Sequence, residues 1–247
     1  MRLCLDIGNS TVAAGLFRGR RLVQRASLPH GGRLTAAMLR EFLERILGPH
    51  PVRQAGLISV VPPFVSEAER AVVKLLGIHP RVITVSSLGA MKIDYRHPQR
   101  LGIDRLINGL AARHLYGLPC LVVDIGTAIT CDAVDAAGRF LGGAIAPGPE
   151  LMADSLRRRT ALLPEVGIER MRRAIGRDTE ESIRSGIYWG TIGLIQELVR
   201  RMSAELGGRP RLILTGGRAR TFRADLKGYR YDPDLTLKGV ALACEEA

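Results

Sequence analysis

Two short segments far apart in this chain have nearly the same composition, and together they restrict the fold more than any other feature. The first is Leu3-Cys4-Leu5-Asp6-Ile7-Gly8-Asn9-Ser10-Thr11; the second is Leu121-Val122-Val123-Asp124-Ile125-Gly126-Thr127-Ala128-Ile129-Thr130. Each is an apolar, strand-like run that delivers an Asp, then a Gly, then hydroxyl or amide side chains, then further β-branched residues. Such a loop suits polyphosphate. Glycine lets backbone N–H groups approach phosphate oxygens, Ser, Thr and Asn add donors, and the carboxylate can hold a cation. One Asp-x-Gly marks a turn in many proteins. Two in matching context predict a duplicated fold that clamps a nucleotide between its halves.

The surrounding pattern repeats as well. Residues 2–8, 11–17 and 21–28 read as three short strands broken at Asn9-Ser10 and Arg18-Gly19-Arg20. Leu34, Met38, Leu39, Phe42, Leu43 and Ile46 recur at helical spacing over 34–47, and Gly48-Pro49 ends the run. A strand at 55–61, a helix over about 64–76, a strand at 82–85 and a helix at 104–116 follow. The order then restarts: strands at 119–125, 129–135 and 139–146, helices near 148–161 and 179–206, a strand at 212–214 and a closing helix over about 235–245. This predicts an α/β protein of two lobes, 1–117 and 118–247, each a mixed sheet with helices, with a cleft between them.

At 247 residues the chain is long enough for a full core in each lobe. No stretch is long and apolar enough to span a bilayer, and Asp6, Asn9 and Ser10 interrupt the N-terminal apolar run, so no signal peptide is expected. Cys4, Cys120, Cys131 and Cys244 are scattered without a Cys-x-x-Cys pair, which reads as buried thiols in a reducing cytoplasm. The five histidines lack ligand spacing, so zinc is not expected. The formal charge of +12 comes almost entirely from arginine. Few aromatic residues accompany those arginines and no nucleic-acid module is recognisable, so they read as solvated helix faces rather than a nucleic-acid surface.

The sequence lacks the Gly-x-x-x-x-Gly-Lys-Ser/Thr of P-loop enzymes, a Gly-x-Gly-x-x-Gly after a strand, and Gly-x-Ser-x-Gly. Between the two loops lie Tyr95-Arg96-His97-Pro98 and Gly102-Ile103-Asp104-Arg105. Asp104 falls where a helix starts and could be a cap or a dipole partner. Arg105 beside it is odder, because a helix N-terminus disfavours a cation. The pair reads better as a base with an anion clamp than as a cap alone.

These motifs together resemble the type III pantothenate kinases, within the acetate and sugar kinase/Hsp70/actin superfamily. Asp6 to Ser10 resembles that family's first phosphate loop, with Ser10 where Thr is usual, and Gly102 to Arg105 resembles its Gly-x-Asp-Arg signature. Asp124 to Ala128 with Thr130 and Asp132 resembles its second loop. Gly142 to Gly148, Ser155-Leu156, Thr160-Ala161, Leu163-Pro164 and Gly176-x-x-Thr179-x-x-Ser182-x-x-Ser185-Gly186 continue in family order. His97 and Arg218 depart from the pattern.

The resemblance implies an actin-like fold and ATP-dependent phosphorylation of pantothenate to 4′-phosphopantothenate, the opening step of coenzyme A synthesis. Asp104 would be the general base. Asp6, Ile7, Gly8, Asn9, Ser10, Thr11, Val12, Ala13 and Thr127 would bind ATP, with Asp6 supporting Mg²⁺ on its phosphates. Tyr95, Gly102, Ile103, Asp104, Arg105 and Thr179 would bind pantothenate. Asp124 would serve a monovalent cation, potassium or ammonium. A homodimer is also implied. The residues alone leave ordinary packing open for Tyr95 and a helix cap open for Thr179. A phosphohydrolase, or a nucleotide-binding regulator acting on nucleic acid, are the competing functions.

Overall fold

The computed structural model describes residues 1–89 and 91–245 and divides the chain into two compact units. The first holds residues 1–111 together with those from Asp234 onward; the second holds Ala112–Pro233. The C-terminal segment therefore groups with the N-terminal unit, and the boundary lies a few residues before the expected one.

In the first unit, β1 (Arg2–Ile7), β2 (Thr11–Arg18) and β3 (Arg21–Pro29) form an antiparallel meander, while β4 (Gln54–Ser59) and β5 (Arg81–Val82) add in parallel, giving the order β3-β2-β1-β4-β5. Alternation along β1 sends Leu3, Leu5 and Ile7 to one face. There they meet Leu39, Leu43 and Ile46 of α1 (Ala36–Leu47) and Ala68, Ala71 and Val72 of α2 (Pro62–Leu76). Each of those leucines contributes about 1.5–3 kcal/mol by leaving water. Thr35 caps α1 by accepting from Met38 N, and Pro62-Pro63 opens α2, where a missing N–H costs nothing. The expected strand at 82–85 is shorter, because Val85–Ser87 turns into a 3₁₀ helix. α3 (Ile103–Tyr116) follows.

The second unit repeats the scheme with β6 (Cys120–Ile125), β7 (Ala128–Val134), β8 (Phe140–Pro147), α4 (Pro149–Arg159), α5 (Thr179–Glu205) and β9 (Arg211–Thr215). Two small elements had no signal in the sequence: α6 (Ala219–Phe222) and β10 (Arg230–Tyr231). The sheet order is β10-β9-β6-β7-β8, which read backwards is the order of the first sheet with the same strand directions. Tyr188, Ile192, Ile195 and Val199 of α5 cover Leu121, Val123 and Ile125 of β6. The closing helix α7 (Leu235–Ala243) packs on β1, β2 and β4 of the first unit.

Candidate active site

Each Asp-Ile-Gly segment sits where a central strand ends and its hairpin turns. In the first unit Asp6 is half-buried at the end of β1, and Asn9, Ser10 and Thr11 stand exposed beyond it. Gly8 N donates to Thr11 O at 3.0 Å, closing the turn. Behind it, the buried ring of His30 bonds Gly8 O through Nε2 at 3.1 Å and accepts from Gly32 N at Nδ1. That pattern puts the ring proton on Nε2. The same ring meets Phe64 edge-on at 5.1 Å between centroids. Ser59 Oγ donates to Ile7 O at 3.2 Å. Val12 is buried and Ala13 half-buried within β2, so in this loop the polar exposed groups are those of Asn9, Ser10 and Thr11.

In the second unit Asp124 ends β6, flanked in register by Thr130 of β7 and Thr215 of β9. Gly126 N donates to Ala128 O at 2.9 Å, and Thr127 is exposed at the tip. Two other glycine turns press on this loop. Gly148 N donates to Thr127 O at 2.9 Å, and a Cβ at 148 would strike the backbone of Gly126 and Thr127. Gly216 has φ +100°, and a Cβ there would strike the Asp124 carboxylate and the Ile125 backbone. Thr215-Gly216-Gly217, the turn that follows β9, lies against Asp124 within its own unit. Arg218, the departure from the family pattern, donates N–H to Ile125 O and pairs through Nε with Glu150 of α4 at 2.6 Å.

Gly102 to Arg105 opens α3. Asp104 lies in the first turn, and Arg105 N donates to its Oδ1 at 2.8 Å. Burial raises the Asp104 carboxyl above its ordinary value, outweighing the opposing pull of that hydrogen bond and of the Arg105 charge. The Arg105 side chain is buried. Gly102 and Ile103 also line a groove of about 860 Å³, walled by Val60, Val65, Val82 and Ile83 and edged by Ser59, Thr84 and Ser86. Tyr95 is half-buried in an irregular segment just before it.

Thr179 is not the cap of α5. Asp178 fills that place, accepting from Glu181 N at 2.8 Å, while Glu181 Oε2 accepts from Arg177 N. Thr179 therefore lines a groove with Leu163, Gly176, Ser182 and Ile183. Ser182 and Ser185 of the same motif donate to Asp178 O and Ala174 O, so they fasten backbone. Sequence reasoning missed His30, which stands in no recognisable motif, and the Arg218–Glu150 pair, which joins separate turns.

Residues 2–201 match the sequence profile of the type III pantothenate kinases. A type III pantothenate kinase of Dehalococcoides mccartyi is 35% identical over 97% of this chain and 95% of its own. One from Parafrankia sp. is 38% identical over 100% and 98%. Among solved structures, the activator of 2-hydroxyisocaproyl-CoA dehydratase from Clostridium difficile superposes with a TM-score of 0.60 at 14% identity, covering 99% of this chain and 96% of that one. MreB 5 of Spiroplasma citri superposes with a TM-score of 0.51 at 11% identity, over 99% and 96%. Those two likenesses establish an actin-like α/β fold, and the sequence matches go further: the chain belongs to the type III pantothenate kinase family.

Proposed function

We propose that this enzyme transfers the γ-phosphoryl group of ATP to the primary hydroxyl of pantothenate, with Asp104 as the general base. The supporting observation is the setting of Asp104. Its carboxyl is fixed by the Arg105 amide and raised by burial, so it accepts a proton more readily than a solvated carboxylate. A strong base is not required, because phosphoryl transfer passes through a loose transition state in which positioning and charge neutralisation dominate. Arg105 holds the substrate carboxylate or neutralises developing phosphoryl charge. Gly102, Ile103 and Tyr95 border the acceptor, and the apolar groove beside Gly102 suits a small acid with an aliphatic body. Thr179 offers its hydroxyl to the same substrate class.

On the nucleotide side, the loop from Asp6 to Ala13 and the hydroxyl of Thr127 receive the ATP phosphates. Among the described residues no cluster of three or more His, Cys, Asp or Glu side chains is placed to hold a metal ion. Mg²⁺ would arrive on ATP, carried mainly by phosphate and water oxygens with the Asp6 carboxylate in support, since Mg²⁺ dehydrates reluctantly. When bound, Mg²⁺ neutralises charge on the transferring phosphate. Asp124 contributes a carboxylate to a monovalent cation, potassium or ammonium.

We further place the enzyme in the cytoplasm, as a homodimer. No helix among the described residues is long and apolar enough to cross a membrane. The homodimer is what the family resemblance implies.

Asp104→Asn tests the base. It should retain ATP binding and lose about 10²–10⁴-fold in kcat. In the native enzyme kcat/KM should fall on acidification through the raised Asp104 value, and the variant should lack that limb. The stability sign runs the other way. A carboxyl raised by folding favours the folded state at low pH and loses that contribution as pH rises through the folded value. The Asn variant should therefore match or exceed the parent Tm at neutral pH. Full activity in the variant would refute the assignment. ADP release without pantothenate would favour a phosphohydrolase; salt-sensitive DNA binding without kinase activity would favour a regulator. Some of the arginines are paired along helices, as in Arg158–Asp154, Arg184–Glu180 and Arg201–Glu197, which counts against the regulator.

A further inference from the structure

Cys4 and Cys244 stand near opposite ends of the sequence, and both flank Gly56 in the first unit. With Leu3, Leu5 and Ile7 turned toward α1 and α2, Cys4 faces the other side of the sheet, where α7 lies. In register, Cys4 is opposite Gly15 on β2 and Gly56 on β4. Both glycines leave room for α7. Leu237 reaches the space over Gly15, and the Cys244 sulfur with Val240 fills the space over Gly56 so closely that a Cβ at 56 would strike the sulfur. Strand neighbours are about 4.8 Å apart, so the Cys244 thiol sits roughly one strand spacing from Cys4. Cys120 and Cys131 belong to strands of the second unit.

The helix end carrying Cys244 is held in place. Arg2 Nη1 donates to Ala241 O and Arg81 Nη1 to Ala243 O, both at 3.0 Å, and Glu245 bonds Arg2 and Arg20. Cys4 is fully buried and Cys244 partly exposed.

We propose that Cys4 and Cys244 form a reversible oxidation site that closes to a disulfide joining the first strand to the last helix. A low-molecular-weight disulfide is the oxidant. The more accessible Cys244, as thiolate, attacks one of its sulfurs and expels the first small thiolate, leaving a mixed disulfide. Cys4, as thiolate, then attacks the Cys244 sulfur and expels the second. Two electrons pass to the oxidant, which leaves as two thiols carrying the two cysteine protons. Burial holds both thiols above their ordinary values, which slows the reaction, while Arg2 and Arg81 act against that rise at Cys244. The closed loop spans nearly the whole chain, so the bond restricts the unfolded ensemble strongly.

The test treats the intact protein with oxidised glutathione and maps peptides without reduction. A Cys4–Cys244 linked peptide, two hydrogens lighter than the reduced pair and reversed by dithiothreitol, is expected, with a raised Tm. Cys244→Ser should abolish the link and Cys131→Ser should leave it. Should Cys4→Ser fail to fold, the Cys244→Ser comparison and the thiol count of the native protein still decide. A glutathione adduct that persists on Cys244, a link involving Cys120 or Cys131, or a link formed only in urea would overturn the proposal. None of these readouts depends on kinase activity.

Discussion

The two Asp-Ile-Gly loops share a motif and a strand order, yet they are supported in different ways. The first adds side-chain braces, His30 on Gly8 O and Ser59 on Ile7 O, to backbone bonds from Val60 N to Ile7 O and from His30 N to Ser10 O. The second is braced by backbone, with Gly148 and Gly216 pressed against Gly126, Thr127, Asp124 and Ile125. A backbone brace leaves no space for any Cβ. A side-chain brace can be shortened and leaves a gap that water can enter. The two units thus share one strand order and one turn, and differ in the scaffolding behind it.

The sharpest break of this comparison is Gly216→Ala. Its φ of +100° strains any L side chain, and the added Cβ must displace the Asp124 carboxylate or the Ile125 backbone. Strain and overpacking together should cost about 2–5 kcal/mol of stability. Denaturant titration should show it, with ATP-dependent turnover lost. Gly8→Ala is the matched control. Its Cβ would meet only Thr11 O, at 3.3 Å, and φ is not in the left-handed region. It should cost less than about 1 kcal/mol. Equal losses in the two variants would end the distinction.

This asymmetry also marks how much the sequence could tell. Apolar alternation and glycine breaks located the central strands of both sheets to within a residue or two, because period 2 and the turn residues are local properties. The Gly102–Arg105 patch was visible because a cation at a helix start is locally unfavourable. Other features depend on tertiary contact. The residues of α7, Leu235 to Ala243, are nearly all apolar or small, so no polar face says which sheet it covers, and it returned to the first unit. Thr179 and Asp178 are adjacent and both fit a cap, and only geometry gives that role to Asp178. His30 follows a strand with no motif around it; its role depends on a carbonyl 22 residues earlier.

His30→Ala should fall in the middle of the range. It removes a hydrogen bond to Gly8 O, frees Gly32 N, and empties the space against Phe64. A cost of about 1–3 kcal/mol follows from the unsatisfied backbone groups. The KM for ATP should rise several-fold while kcat moves less, since the loop loses its backing but keeps its own groups. His30→Gln restores a donor at similar reach and should recover part of the loss. If alanine and glutamine behave alike, packing rather than the bond supports the first loop.

Arg218→Ala should give the smallest effect. Its ion pair with Glu150 lies at the surface, with the two side chains 55% and 40% exposed. Solvent screening limits such a pair to about 0–1 kcal/mol. Its backbone N–H bond to Ile125 O survives the substitution, so the second loop keeps its brace. Stability should stay within that bound, and any shift in the ATP KM should shrink further in added salt, as screening of an exposed charge requires. A loss comparable to that of His30→Ala would mean that the second loop also rests on a side chain. The contrast between backbone and side-chain support would then hold only for the glycines.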